Sequence, residues 1–184
     1  MKFAPSRINL YLAMLLLAAA AGGCASEEER RQKKEASSLR LYLEQEFDRG
    51  DQTTVVPVYR ADPSLVRIDK NYFLDEGHLT RAEVVDVVGG FAIAVQFDFH
   101  GTLVLENVSN SYRGRRVAIY CLFTDGRWLA APRLGQRITD GKLVFTPDAT
   151  REEAERLVRG LNNVAVQLGN QPKPGKQKQA EDSF

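Results

Sequence analysis

The sequence predicts an α+β domain: a mostly antiparallel sheet with one or two helices packed on one face. Three observations carry that prediction. Apolar and polar residues alternate with period two in several short runs, most clearly over residues 91–99. Turn-forming pairs, Gly89-Gly90 and Asp140-Gly141 among them, separate the runs. One late stretch, with Ala154, Leu157, Val158 and Leu161, follows helical spacing instead. Strands, a weak helix, more strands and a terminal helix make the order of an antiparallel sheet with its helices segregated to one side.

Taken in order, residues 39–44 alternate Leu39, Leu41 and Leu43 with polar neighbours, which marks a half-buried strand. Residues 53–59 are β-prone, and Pro57 confines them to an edge or a bend because it has no N–H for a ladder. Residues 65–68 and 83–88 give two further strands, the second ending at Gly89-Gly90. In residues 91–99, Phe91, Ile93, Val95, Phe97 and Phe99 share one face, which is expected on the core. Ala92 and Ala94 on the other face leave room for a close approach, while Gln96 and Asp98 favour water.

Residues 101–111 are ambiguous: Val104, Leu105 and Val108 fit a short helix, Leu103 and Leu105 a strand. A turn is expected over residues 110–114. Residues 117–123 are apolar on both faces and read as a central strand, with Cys121 as a small core residue. Residues 128–134 form a strand interrupted at Pro132, and Asp140-Gly141 turns the chain into a last strand, 142–145. Thr150 with Glu153 three residues on has the spacing of a capping box, and opens the best helix.

Outside the domain the chain changes character. Lys2 and Arg7 precede an apolar run over residues 8–21, which is shorter than the ~20 residues a spanning helix needs. Small residues then lead into Cys24, as Ala21-Gly22-Gly23-Cys24. This resembles the lipobox of bacterial lipoproteins, with Ala21 where that family usually has Leu. The resemblance implies a signal peptide at 1–23, lipidation of Cys24, and a protein held at the cell envelope facing the periplasm. Ala25-Ser26 lacks the Asp that retains some lipoproteins in the inner membrane, which favours the outer one. A retained membrane helix and ordinary cleavage with Cys24 lost or free are the alternatives. Residues 24–38 are dense in charge with no apolar stripe, the composition of a tether, and 169–184 that of a disordered tail. The domain is therefore expected at 39–168.

The formal charge of the 184 residues is +1, and the leader supplies two of the positive charges through Lys2 and Arg7. The remainder, at −1, argues against nucleic acid as a partner. With Cys24 assigned to lipid, Cys121 has no partner for a disulfide. His78 and His100 have no second His or Cys at ligand spacing, and no phosphate-cradling glycine run or nucleophile elbow occurs. No cofactor or metal is expected, and no enzymatic activity. Asp75, Glu76, Asp98 and Glu106 are carboxylates that a quarter-charged sequence brings near one another by coincidence. Tyr112, Tyr120 and Trp128 stand out among the aromatics, and Tyr112, Arg127 and Trp128 are the candidate partner-binding residues, with Trp128 following a turn at residues 124–127. An amphipathic aromatic at a strand edge suits capture of an extended peptide; simple core packing is the alternative for Trp128.

Residues 91–161 also resemble the head subdomain of the first periplasmic region of SecD, an accessory subunit of the bacterial protein translocase. The phrases that carry this run in order: Phe91-Ala92-Ile93-Ala94-Val95-Gln96-Phe97, then Gly101 and residues 103–110, then Gly114-Arg115-Arg116-Val117-Ala118-Ile119 and Ala131-Pro132. Ile138-Thr139-Asp140-Gly141 and the Glu152-Glu153-Ala154 helix start close the series. The resemblance implies a compact α+β module outside the cytoplasm that engages polypeptides without chemistry of its own. SecD itself has membrane helices whose acidic residues couple to the proton gradient, and nothing beyond the leader here reaches spanning length. The expectation is a head-like module on a lipid anchor that binds polypeptide, assisting protein export. The alternative is a structural envelope component bound to a fixed protein partner or to peptidoglycan.

Overall fold

The computed structural model describes residue 27 and residues 30–32, 34–123 and 125–171. Cys24, the leader and residues 172–184 of the expected tail lie outside the described residues. The chain divides into two units, Met1–Lys34 and Glu35–Phe184. In the first, residue 27 and residues 30–32 are helical. Among the described residues no helix is long and apolar enough to cross a membrane.

The second unit is α+β, as the sequence predicts, and every strand pair in it is antiparallel. Its elements are β1 (Ser38–Leu43), β2 (Thr53–Val58), β3 (Ser64–Asp69), β4 (Leu74–Asp75), β5 (Leu79–Val87), β6 (Gly90–Phe97), α1 (Phe99–Ser111), β7 (Val117–Leu122), β8 (Gly126–Ala130), β9 (Lys142–Phe145) and α2 (Arg151–Leu168). Three sheets result, ordered β4-β1-β7-β8, β5-β6-β9 and β2-β3. The predicted central strand is β7, between β1 and β8, and Pro57 sits in the two-stranded ribbon where both strands are edges.

Alternation sorts the side chains. Leu39, Leu41, Leu43, Val117, Ile119 and Cys121 point to one face of the four-stranded sheet. There they meet Ile93, Val95 and Phe97 of β6, Leu105 of α1, and Ala154, Leu157 and Leu161 of α2 in the main core. The ribbon makes a second, smaller core on the other face: Val56, Val58, Val66 and Ile68 close over Ala118 and Ala131, with Tyr42 and Trp128 packed against them.

The alternation of residues 91–99 overruns the strand. Asp98 accepts from the Gly101 N–H at 2.7 Å and caps α1, so Phe99 begins the helix, 79% exposed, instead of joining the core. Gly101 permits this sharp start; a Cβ there would meet Phe97 Cβ at 2.8 Å and His78 Cβ at 3.0 Å. Residues 101–111 are thus helical, and the turn expected over 110–114 starts only after Ser111. Ala92 and Ala94 are buried, not open. Ala94 is paired between Glu83 and Val144, and the Lys142–Glu83 ion pair (3.5 Å) joins the strands flanking β6.

Helix α2 forms as its sequence dictates. Thr150 Oγ1 accepts from the Glu153 N–H at 3.2 Å while Glu153 Oε2 accepts from the Thr150 N–H at 2.9 Å, and Gly169 ends the helix in the left-handed conformation. Glu35, Ala36 and Ser37, which the charge pattern assigns to the tether, belong to the folded unit. Glu35 takes Arg156 Nε at 3.2 Å and Arg159 Nε at 2.8 Å, and Asn163 Nδ2 donates to its backbone carbonyl at 2.9 Å.

Candidate functional site

The outer face of the four-stranded sheet carries a row of aromatic side chains. Tyr42 of β1 is the pairing partner of Ala118 on β7, and Tyr120 that of Trp128 on β8. The small Ala118 side chain leaves the Tyr42 ring free to reach across to Trp128, edge-on at 5.1 Å. Tyr120 meets Trp128 from the other side, also at 5.1 Å. Tyr72, just before β4, extends the row at 6.2 Å from Tyr42, and the Arg40 guanidinium lies 5.2 Å from its ring centre. Gly126 makes room for Tyr120: a Cβ there would meet the hydroxyl oxygen at 1.8 Å. The ribbon packs against the two middle members of the row, Tyr42 and Trp128. Its two ends are open: Tyr72 is 44% exposed at one, and Leu122, beyond Tyr120, is 49% exposed at the other. Such a shelf offers apolar area, ring faces and one cation, which suits an extended chain with apolar or aromatic side chains.

The three residues predicted to bind a partner do not form one patch. Trp128 joins the row, half-buried and packed against the second core. Arg127, one residue earlier, projects to the opposite face, where its Nη2 lies 3.3 Å from Glu153 Oε2 on α2. Tyr112 stands at the end of α1 with the Arg115 guanidinium 5.1 Å from its ring centre. Tyr120 stands out in the sequence with Tyr112 and Trp128; Tyr42 and Tyr72 do not. The signal for Tyr42 was available: in a half-buried strand the residue between Leu41 and Leu43 must face outward.

On Arg127's side a cleft of about 360 Å³ opens between the β7–β8 hairpin, Arg60 and the first turns of α2. Cys121, Phe123 and Leu157 form its apolar part, and Arg60, Arg127, Arg156, Asp125 and Glu153 its polar part. The Thr150 N–H, ahead of Arg127 and Arg60, holds the Glu153 carboxyl below the usual carboxylate range. Burial pushes the Cys121 thiol up to about 12, so it is a protonated core group without nucleophilic character.

The fold also gathers the two histidines that the sequence separates. His78 and His100 stack with ring centres 4.7 Å apart, and His78 Nδ1 lies 3.2 Å from Asp98 Oδ2. Burial alone would raise the Asp98 carboxyl; the Gly101 N–H and His78 outweigh it and lower the group. Among the described residues no group of three or more His, Cys, Asp or Glu is placed to hold a metal ion.

No protein-family model matches the chain, and no curated protein does. Solved structures do. One is SecDF, a membrane component that enhances protein export, with a TM-score of 0.52 at 21% identity, covering 75% of this chain and 67% of that one. Another is SecDF in a super-membrane-facing form, with a TM-score of 0.53 at 19% identity, covering 75% of this chain and 20% of that one. At this identity the likeness is one of fold. It bears out the SecD-like fold that the sequence phrases imply, and at 75% of the chain it reaches well beyond residues 91–161.

Proposed function

We propose that this chain, which shares its fold with part of SecDF, is a lipid-anchored, non-enzymatic cell-envelope module that binds other polypeptides as they are exported. The observation that supports this most is the aromatic row Tyr72–Tyr42–Trp128–Tyr120, open at its ends on a sheet face. Binding is non-covalent. Ring faces and the Leu122 side chain take apolar segments of an extended chain, and the Arg40 guanidinium takes its carbonyls or acidic groups. A row of this kind tolerates many sequences, as a module serving diverse clients requires. The membrane attachment is the acylated Cys24, and the charged residues 25–34 space the domain from the bilayer.

The test is fluorescence anisotropy of a labelled, permanently unfolded polypeptide against the purified chain. Tyr72→Ala weakens binding at least about fivefold with an unchanged thermal midpoint, and Tyr120→Ala does so with a lower midpoint, because it also loses its packing on Trp128. Trp128 is a poorer probe, because its removal also opens the second core. Absence of binding, or binding indifferent to both tyrosines, overturns the reading. For the anchor, Cys24→Ser moves the protein from the membrane fraction to the soluble one; a chain that stays with the membrane contradicts lipidation.

A further inference from the structure

We propose that the cleft beside Arg127 is a second subsite, which binds the C-terminal carboxylate of a polypeptide ending in an apolar residue. The proposal rests on the reading that this chain binds polypeptides. Three guanidiniums from separate parts of the fold converge there: Arg60 after β2, Arg127 on β8 and Arg156 on α2. Two carboxylates, Asp125 and Glu153, share the lining, and Asp148 and Glu35 pair with Arg60 and Arg156 from outside it.

The internal pairing leaves much of that donor capacity unused. Glu153 Oε2 takes the Thr150 N–H at 2.9 Å, and the two guanidiniums reach it only at 3.3 Å (Arg127) and 3.5 Å (Arg60). Arg60 turns its Nε to Asp148 Oδ2 at 3.2 Å, and Arg156 its Nε to Glu35 Oε1 at 3.2 Å. Each guanidinium has five N–H donors, and a carboxylate is the planar acceptor that takes two in parallel. The floor selects among anions. Phe123, with the Arg156 guanidinium 5.0 Å from its ring centre and the buried Cys121 and Leu157 beneath, gives an incoming group an apolar edge, which a bare oxyanion would not use. A volume of about 360 Å³ is at the small end for ligand pockets, which suits a terminal residue and not a long segment. The cleft lies on the sheet face opposite the aromatic row, so the two subsites read different parts of one chain.

The probes are a fluorescein-labelled peptide ending in Leu-Leu as the free acid, the same peptide as its C-terminal amide, and inorganic phosphate. Anisotropy with the full chain is expected to show the acid bound about tenfold more tightly than the amide. Arg127→Gln and Arg156→Gln each abolish that preference, with folding verified by circular dichroism. Tyr72→Ala weakens acid and amide alike and leaves their ratio unchanged. Equal binding of acid and amide that still depends on Tyr72 overturns the carboxylate subsite and leaves the polypeptide-binding reading standing. Binding of neither overturns both. Phosphate displacing the acid peptide at equal concentration overturns the terminal-residue assignment in favour of a small-oxyanion site.

Discussion

Ser37 and Glu44 show how this fold treats single polar side chains in opposite ways. Ser37 Oγ is buried without a hydrogen-bond partner, pressed against α2 at Gly160, where a Cβ would meet that oxygen at 2.3 Å. Ser37→Ala removes the unpaired group and is expected to raise stability by about 1 kcal/mol in urea denaturation; a loss of stability would show that the hydroxyl is satisfied. Glu44 is fully used. Its carboxylate takes Arg116 through Nε at 2.8 Å, Nη2 at 2.6 Å and the backbone N–H at 2.7 Å. Burial alone would raise the Glu44 carboxyl, but the Arg116 contacts outweigh it and lower the group. Its stabilisation is therefore present above the carboxylate's ordinary value and lost as pH falls through the lowered one. Glu44→Gln should cost about 2 kcal/mol at neutral pH, a difference from the native chain that shrinks as pH falls below the ordinary carboxylate range. A deficit that stays constant across that range would exclude the ionised pair as its source. Neither environment was legible in the sequence, because Ser37–Gly160 and Glu44–Arg116 are contacts between distant segments. Arg127 and Trp128 were legible as residue types, and strand alternation then separates them onto opposite faces.

Among the elements, α2 was the most legible, since its capping box, apolar stripe and terminal Gly169 are all local signals. Helix α1 was ambiguous because its inward line is Gly101, Leu105 and Ser109, with one strongly apolar member. Strand β5 was seen only from Glu83, whereas it begins at Leu79. The missing part is fixed from outside the strand. Asn162 on α2 accepts the Ala82 N–H and donates to the Ala82 carbonyl, both at 2.9 Å, while Asn170 Nδ2 donates to the Leu79 carbonyl at 3.2 Å. The helix thereby supplies the edge of β5 with the hydrogen bonds a neighbouring strand would give, and closes it to further pairing. Asn162→Ala leaves both Ala82 groups unpaired and is expected to cost about 2 kcal/mol, with faster amide exchange at Ala82. Unchanged exchange there would mean that packing of α2 alone protects the edge.

For the whole molecule, composition and order were enough for the α+β class with antiparallel pairing and helices. The division into three sheets was not, because it depends on which strands meet and not on the strands themselves. That division creates the two faces on which the functional account rests. The ribbon covers only part of the outer sheet face and leaves the ends of the aromatic row open, while α2 closes the inner face and forms the cleft at its own first turns. The likeness to SecDF supplies the fold, and the row supplies the reason to expect polypeptide as the ligand. The most direct test is photocrosslinking in living cells from a photoreactive residue at position 72, with the captured species identified by mass spectrometry. The account predicts a spread of exported polypeptides, reduced when Tyr120 is replaced by Ala. Capture of a single recurrent envelope protein, unaffected by that substitution, would contradict it and point to a fixed structural complex.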